Sequence, residues 1–205
     1  AKPNLLEGPN RPTVLFNAMV QPFVDFKIRG AIWYQCESNA DSKDAPYIDL
    51  LPALIKDWRQ QWQNDKMPFY FVQLANFKEK QPTVQPSSWA MLREAQRQTL
   101  RLPNTGMAVI ADIGDSKDIH PKNKQDVGKR LAWIAVHDLY GQKNSYSGPQ
   151  LDRWVIKGKE AQLSFKPMGK ELVLKTSDRK IGGFTIAGSD QQFYPAQVRQ
   201  EGNKI

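Results

Sequence analysis

The sequence predicts an α/β protein, a parallel β-sheet covered by helices, with a small antiparallel β appendage at its C-terminal end. Three observations predict it. Short apolar runs bounded by turn formers alternate three times with stretches of helical periodicity over residues 30–141, the pattern of strands joined by helical crossovers. From Ser145 onward that alternation gives way to short β-type segments separated by turns. A composition of 40% hydrophobic and 24% charged residues over 205 positions is that of a globular chain able to bury a core. Residues 1–144 are therefore expected to form the α/β unit and residues 145–205 the appendage.

A Pro- and Asn-containing lead-in precedes Gly30-Ala31-Ile32-Trp33-Tyr34-Gln35, the first buried-strand candidate. Tyr47, Leu50, Leu51, Leu54, Ile55, Trp58 and Trp62 then recur at helical spacing, with Pro52 near the first turn or at a kink, and Asp49, Lys56 and Arg59 assigned to the opposite face. Pro68-Phe69-Tyr70-Phe71-Val72-Gln73-Leu74 is the second strand. Ser87 or Ser88 can cap a helix from Trp89 to about Leu100. Gly106-Met107-Ala108-Val109-Ile110-Ala111 is the third strand, and Val127, Leu131, Ile134, Ala135 and Leu139 mark a last helix stopped by Gly141. In the appendage, β segments are expected at 153–156, 162–165, 171–175, 183–186 and 196–200, the chain reaching Ile205 in mid-strand.

The net charge of +8 is diffuse, 19 basic against 15 acidic residues before Leu151 and 10 against 6 from there on. It lacks the basic run or basic-aromatic alternation of a nucleic-acid surface, while remaining able to attract an anionic sugar. No stretch approaches the roughly 18 apolar residues of a membrane span. The single cysteine, Cys36, excludes an intrachain disulfide and a thiolate-rich metal site. The first residues carry neither a signal-peptide core nor an initiator Met, so the native start is expected upstream and secretion stays open.

In a parallel sheet the ligand loops lie beyond the carboxyl ends of the strands. Three loops should share that rim: 36–39, 75–80 and 112–123. The third carries His120 behind Asp112, Asp115 and Asp118. A carboxylate on one imidazole nitrogen fixes the tautomer and leaves the other nitrogen to take a proton from a nucleophile. The competing reading, in which these aspartates only cap the helix near Asn123, weighs equally on residue types alone. His137, inside the last helix, reads as structural.

Ser116, in Gly114-Asp115-Ser116, lies only four residues from His120 on the same loop, a poor geometry for a nucleophile, and Ser38 fares no better. Asn39 can donate to a developing oxyanion. Glu37 needs a partner near a buried strand, and Arg93 is the best candidate, both bracing the loop. Cys36, with nothing nearby to lower its pKa, reads as a small buried hydrophobe, a thiol esterase being the rival reading.

Gly30-Ala31-Ile32-Trp33-Tyr34-Gln35-Cys36-Glu37-Ser38-Asn39-Ala40, Asp57-Trp58-Arg59, Pro68-Phe69 through Val72-Gln73-Leu74-Ala75, Leu92-Arg93-Glu94-Ala95-Gln96, and Asp118-Ile119-His120-Pro121 with Asn123-Lys124 and Val127-Gly128-Lys129-Arg130-Leu131-Ala132 resemble, in order, the sialate O-acetylesterase family. These are SGNH hydrolases, serine esterases of flavodoxin-like fold. The tail, Gly183-Phe184-Thr185-Ile186-Ala187-Gly188 with Phe193-Tyr194-Pro195-Ala196, resembles that family's β-rich extension. The resemblance implies His120 as catalytic histidine, Asn39 as oxyanion-hole asparagine and Asp118 as orienting acid. Gln35, Glu37, Gln73 and Arg93 would bind substrate or support the loops.

The resemblance also implies removal of O-acetyl groups from sugars, sialic acids first, without metal or organic cofactor, in a secreted or periplasmic setting. Acetylated xylan or xyloglucan as substrate, or a non-catalytic carbohydrate-binding fragment, remain the alternatives. Two positions depart from the family pattern. Lys117 stands three residues before the histidine, where SGNH enzymes more often place the acid, which keeps Asp115 and Asp112 in contention. Cys36 stands where a glycine is usual. The family's serine turn, Gly-Gln-Ser-Asn-like, has no counterpart among residues 1–30. The nucleophile is thus expected from a missing N-terminal segment of the same enzyme, and the 205 residues alone should be inactive.

Overall fold

The structure, a computed structural model, describes residues 8, 11–41, 46–79, 87–166, 171–173 and 181–205. Three strands, β1 (Ala31–Trp33), β2 (Phe69–Val72) and β3 (Thr105–Ala108), form a parallel sheet in the order β1-β2-β3. They alternate with helices α1 (Tyr47–Gln61), α2 (Ser88–Thr99) and α3 (Lys124–Asp138), as the periodicity predicts. Tyr70 pairs with Ile32 on one side and Gly106 on the other, which centres β2 and buries all four of its residues. A strand covered on both faces reads as an unbroken apolar run, and Phe69-Tyr70-Phe71-Val72 is one.

Side chains alternate across the sheet. Phe69 and Phe71 pack with Leu51 and Ile55 of α1 and Leu92 and Ala95 of α2, whereas Tyr70 and Val72 pack with Val127, Leu131 and Ile134 of α3. Gly106 permits the second contact, since a Cβ there would lie 2.5 Å from Ile134 Cγ2 and 2.9 Å from Tyr70 Cδ1. Ser87 caps α2 by accepting from the Ala90 N–H at 3.2 Å. At the other end of α3, Gly141 adopts φ +68° and its N–H reaches the His137 carbonyl, a glycine-dependent stop.

One expectation needs correction here. Arg59 does not lie on the polar face of α1. It follows Tyr47, Leu51 and Ile55 at intervals of four, is 5% exposed, and donates to three carbonyls. Within the lead-in, a π-type turn at Phe16–Val20 runs into a 3-10 turn at Gln21–Phe23.

The appendage is antiparallel. Strands β4 (Gln150–Lys157) and β5 (Glu160–Lys166) form a hairpin turned at Gly158, φ +61°, and Ile205 exchanges two hydrogen bonds with Leu163 along β5. A second pair joins β6 (Thr185–Ala187) to β7 (Phe193–Pro195). The expected segment at 196–200 is not a strand: after Ala196 donates to Phe184, Gln200 turns its side chain to the Leu172 and Gly202 carbonyls. Of 171–175, residues 171–173 are not strand and 174–175 lie outside the described residues. Among the described residues no helix is long and apolar enough to cross a membrane.

Candidate active site

The loops after β2 and β3 are joined by hydrogen bonds at the carboxyl end of the sheet. Beyond β2, the Lys78 N–H donates to the Ser116 carbonyl at 3.0 Å, and Ser116 Oγ donates to Glu79 at 2.8 Å. Gly114 N–H donates to Asn76 Oδ1 at 2.7 Å, and a Cβ on Gly114 would fall 2.1 Å from the Asn76 carbonyl oxygen. Only glycine allows that approach. From the first loop, Tyr34 lies under the Lys124 ammonium, 4.6 Å from ring centroid to nitrogen. Lys80 of the second loop lies outside the described residues.

His120 projects from the third loop with 86% of its side chain exposed. The Asp118 carboxylate accepts the His120 backbone N–H at 2.9 Å through Oδ1, and the same oxygen stands 3.4 Å from Nδ1. That backbone bond, followed by the nearby imidazole charge, holds the Asp118 carboxyl below the usual range. Ile119, between them, packs into the core shared by α1 and α2, which anchors the loop. The other two aspartates are engaged elsewhere. Asp112 takes both Nη groups of Arg130, at 2.6 and 2.8 Å, while Asp115 accepts the Lys117 N–H at 2.8 Å. Nor do they cap α3, because Asn123 does so, accepting from the Asp126 N–H at 3.1 Å.

On the first loop, Glu37–Asn39 forms a single 3-10 turn. The Asn39 N–H returns to the Cys36 carbonyl at 2.9 Å, and Asn39 Oδ1 accepts from Gln35 Nε2 at 3.1 Å. With its oxygen engaged, the Asn39 carboxamide keeps its Nδ2 donors for another acceptor. Tyr47 Oη in turn donates to the Gln35 carbonyl at 3.3 Å.

Cys36 is buried and adopts φ 154°, ψ 2°. A residue bearing a Cβ pays about 1–3 kcal/mol in such a region. Burial, then the Glu37 charge, pushes the thiol up to about 12. A thiol so held is protonated at neutral pH and makes no nucleophile.

The expected Glu37–Arg93 pair does not form among the described residues. Glu37 accepts the Cys36 N–H at 3.0 Å, while Arg93 donates to the Leu74 and Ala75 carbonyls at 3.0 and 2.8 Å. Two convergent carbonyls at the end of β2 satisfy the guanidinium where a carboxylate was expected. Gln73 completes the cluster, donating to the Arg93 carbonyl at 3.2 Å. His137 is tied to Asp138 at 2.7 Å and stacks on Tyr146, away from this rim.

Residues 10–137 match the family described as carbohydrate esterase, sialic acid-specific acetylesterase. The chain belongs to this family. It is 38% identical over 162 residues to a sialate O-acetylesterase of Mus musculus, covering 69% of this chain and 29% of that protein. A sialate O-acetylesterase of Rattus norvegicus is 35% identical over 212 residues, covering 93% of this chain and 38% of the relative. Among solved structures, a carbohydrate acetylesterase from Xanthomonas citri superposes with a TM-score of 0.88 at 44% identity, over 94% of this chain and 44% of that one. This member of the acetylesterase family thus spans about a third of its curated relatives' length.

Sequence reasoning assigned no role to Gln96, Asn76 or Arg130. For Gln96 a signal existed. It shares a helix face with Trp89, Leu92 and Thr99, all buried, so a polar side chain there must have partners inside.

Proposed function

We propose that this chain supplies the base and oxyanion parts of a serine esterase that removes O-acetyl groups from sugars, sialic acids first. The observation that carries the reading is the Asp118–His120 pair, with Nδ1 against the carboxylate and the rest of the imidazole open to solvent. On this reading the serine comes from outside these 205 residues, and residues 1–144 hold the hydrolase part while 145–205 form an extension. Family resemblance favours a setting outside the cytoplasm.

The serine Oγ attacks the acetyl carbonyl carbon as its proton passes to His120 Nε2, and Asp118 stabilises the imidazolium. Asn39 Nδ2 donates to the oxyanion, which then collapses. The bond to the sugar oxygen breaks and His120 returns the proton to that oxygen. Water, activated by the same histidine, releases acetate from the acyl-serine.

Asn39→Ala in the enzyme containing this region is expected to lower kcat by about 10²–10³-fold with KM little changed, the usual effect of losing one oxyanion donor. Acetate release from 9-O-acetyl sialic acid, compared with acetylated xylan oligosaccharides, checks both the site and the substrate. Unaltered kcat in Asn39→Ala would remove Asn39 from the site. Faster turnover of the xylan oligosaccharides would replace the sialic acid assignment.

A further inference from the structure

Gln96 is 1% exposed and sits on α2, behind the rim rather than on it. Its carboxamide spends both ends on the ends of two strands. Nε2 donates to the Val72 carbonyl at 2.9 Å and approaches Cys36 Sγ at 3.2 Å, while Oε1 accepts the Leu74 N–H at 2.9 Å. Val72 and Leu74 bracket the exit of β2, where Arg93 binds the second loop. Cys36 opens the turn that ends at Asn39, and its carbonyl is the acceptor for the Asn39 N–H at 2.9 Å. One buried amide therefore ties the β2 exit to a residue whose backbone is held at φ 154°.

We infer that Gln96 is a positioning residue of the esterase site, holding Cys36 in its strained conformation so that the Glu37–Asn39 turn presents the Asn39 carboxamide. The inference rests on the role proposed above for Asn39, and deepens it. A cysteine at that backbone angle relaxes toward an ordinary conformation unless its neighbours prevent it. Within the side-chain partners described, Gln96 reaches Cys36 Sγ from α2 and Tyr47 reaches it from α1. The Tyr47 hydroxyl also serves the Gln35 carbonyl. Among the described residues, Gln96 alone connects the sulfur to β2.

The test exploits Cys36 as the only cysteine in the sequence. Gln96→Met keeps the volume and removes the donors and the acceptor. Thr99→Val, at an equally buried position whose hydroxyl bonds only to Ala95 of its own helix, serves as the control for general loss of packing. In the 205-residue chain, iodoacetamide labelling of Cys36 followed by mass spectrometry should be about 10-fold faster in Gln96→Met than in Thr99→Val. Equal labelling of the two variants overturns the inference, whatever the activity. Should Gln96→Met fail to fold, Gln96→Glu, which keeps the length and one acceptor, is read against the same control.

In the enzyme containing this region, Gln96→Met should lower kcat about 10-fold with KM within about 2-fold, as a misplaced catalytic group does. Cys36→Gly added to it should recover most of that loss, because glycine adopts the conformation without a tether. Absence of that recovery also overturns the inference. Wild-type enzyme that releases no acetate would instead sink the esterase reading, with the labelling result still deciding whether Gln96 holds the turn.

Discussion

Replacing His120 by alanine in the enzyme containing this region is expected to lower kcat for acetate release about 10⁴-fold, with KM changed only a few-fold. The scale is that of removing one member of a nucleophile-base unit, whose parts fail together. The asymmetry between kcat and KM follows from exposure. His120 makes its described contact with Asp118 alone and is 86% open, so it adds little to ground-state binding. Asp118→Asn should cost up to about 10⁴-fold, since asparagine preserves the backbone bond to His120 while losing the charge that favours the imidazolium. Asp118 carries a lowered pKa through that backbone N–H. Its charge is kept through the mildly acidic range and lost only as pH falls through that lowered value, so the orienting carboxylate stays charged across that range. A His120→Ala enzyme with near-normal turnover of 9-O-acetyl sialic acid would end the assignment.

The parallel sheet was legible because burial on both faces writes itself as an apolar run, and β2 shows it most plainly. Part of the rim followed from topology: loops that leave parallel strands at their carboxyl ends lie together, and 75–79 and 112–123 are joined by hydrogen bonds. What was not legible depends on who pairs with whom. Charge at Glu37 and Arg93 suggested an ion pair, yet two carbonyls at the β2 exit offered Arg93 a cheaper solution than desolvating a carboxylate. The three aspartates before His120 looked equivalent as residue types. Arg130, eighteen positions away, engages Asp112 with two bonds, a distinction no local spacing contains. The cysteine in place of the family's glycine suggested a changed loop backbone at Cys36, whereas the residue sits at φ 154°, a region that favours glycine. In the appendage, β4 is exposed along its whole length, so its burial pattern gave little to fix strand ends.

Arg59→Leu is expected to destabilise the folded chain by about 3–5 kcal/mol, the range for removing one partner of a buried, charged hydrogen-bond cluster. Nε donates to the Met67 carbonyl at 3.0 Å, and Nη2 to those of Pro103 and Asn104 at 2.8 and 3.2 Å. Met67 leads into β2, and Pro103 and Asn104 lead into β3, so one guanidinium fastens α1 to both strand entries at the end of the sheet opposite the candidate site. Burial lowers its pKa from the usual guanidinium value, but arginine stays protonated and the three bonds stay charge-assisted. Leucine fills much of the space and satisfies none of the carbonyls. Lysine should restore only part of the loss, having a point charge where a fork is needed. Urea unfolding of the three proteins measures the ordering. A loss under about 1 kcal/mol for Arg59→Leu would mean that these carbonyls find other donors, and that the strand entries hold without α1. Because the cluster lies away from the rim, turnover per folded molecule should stay near wild type, which separates this effect from that of His120.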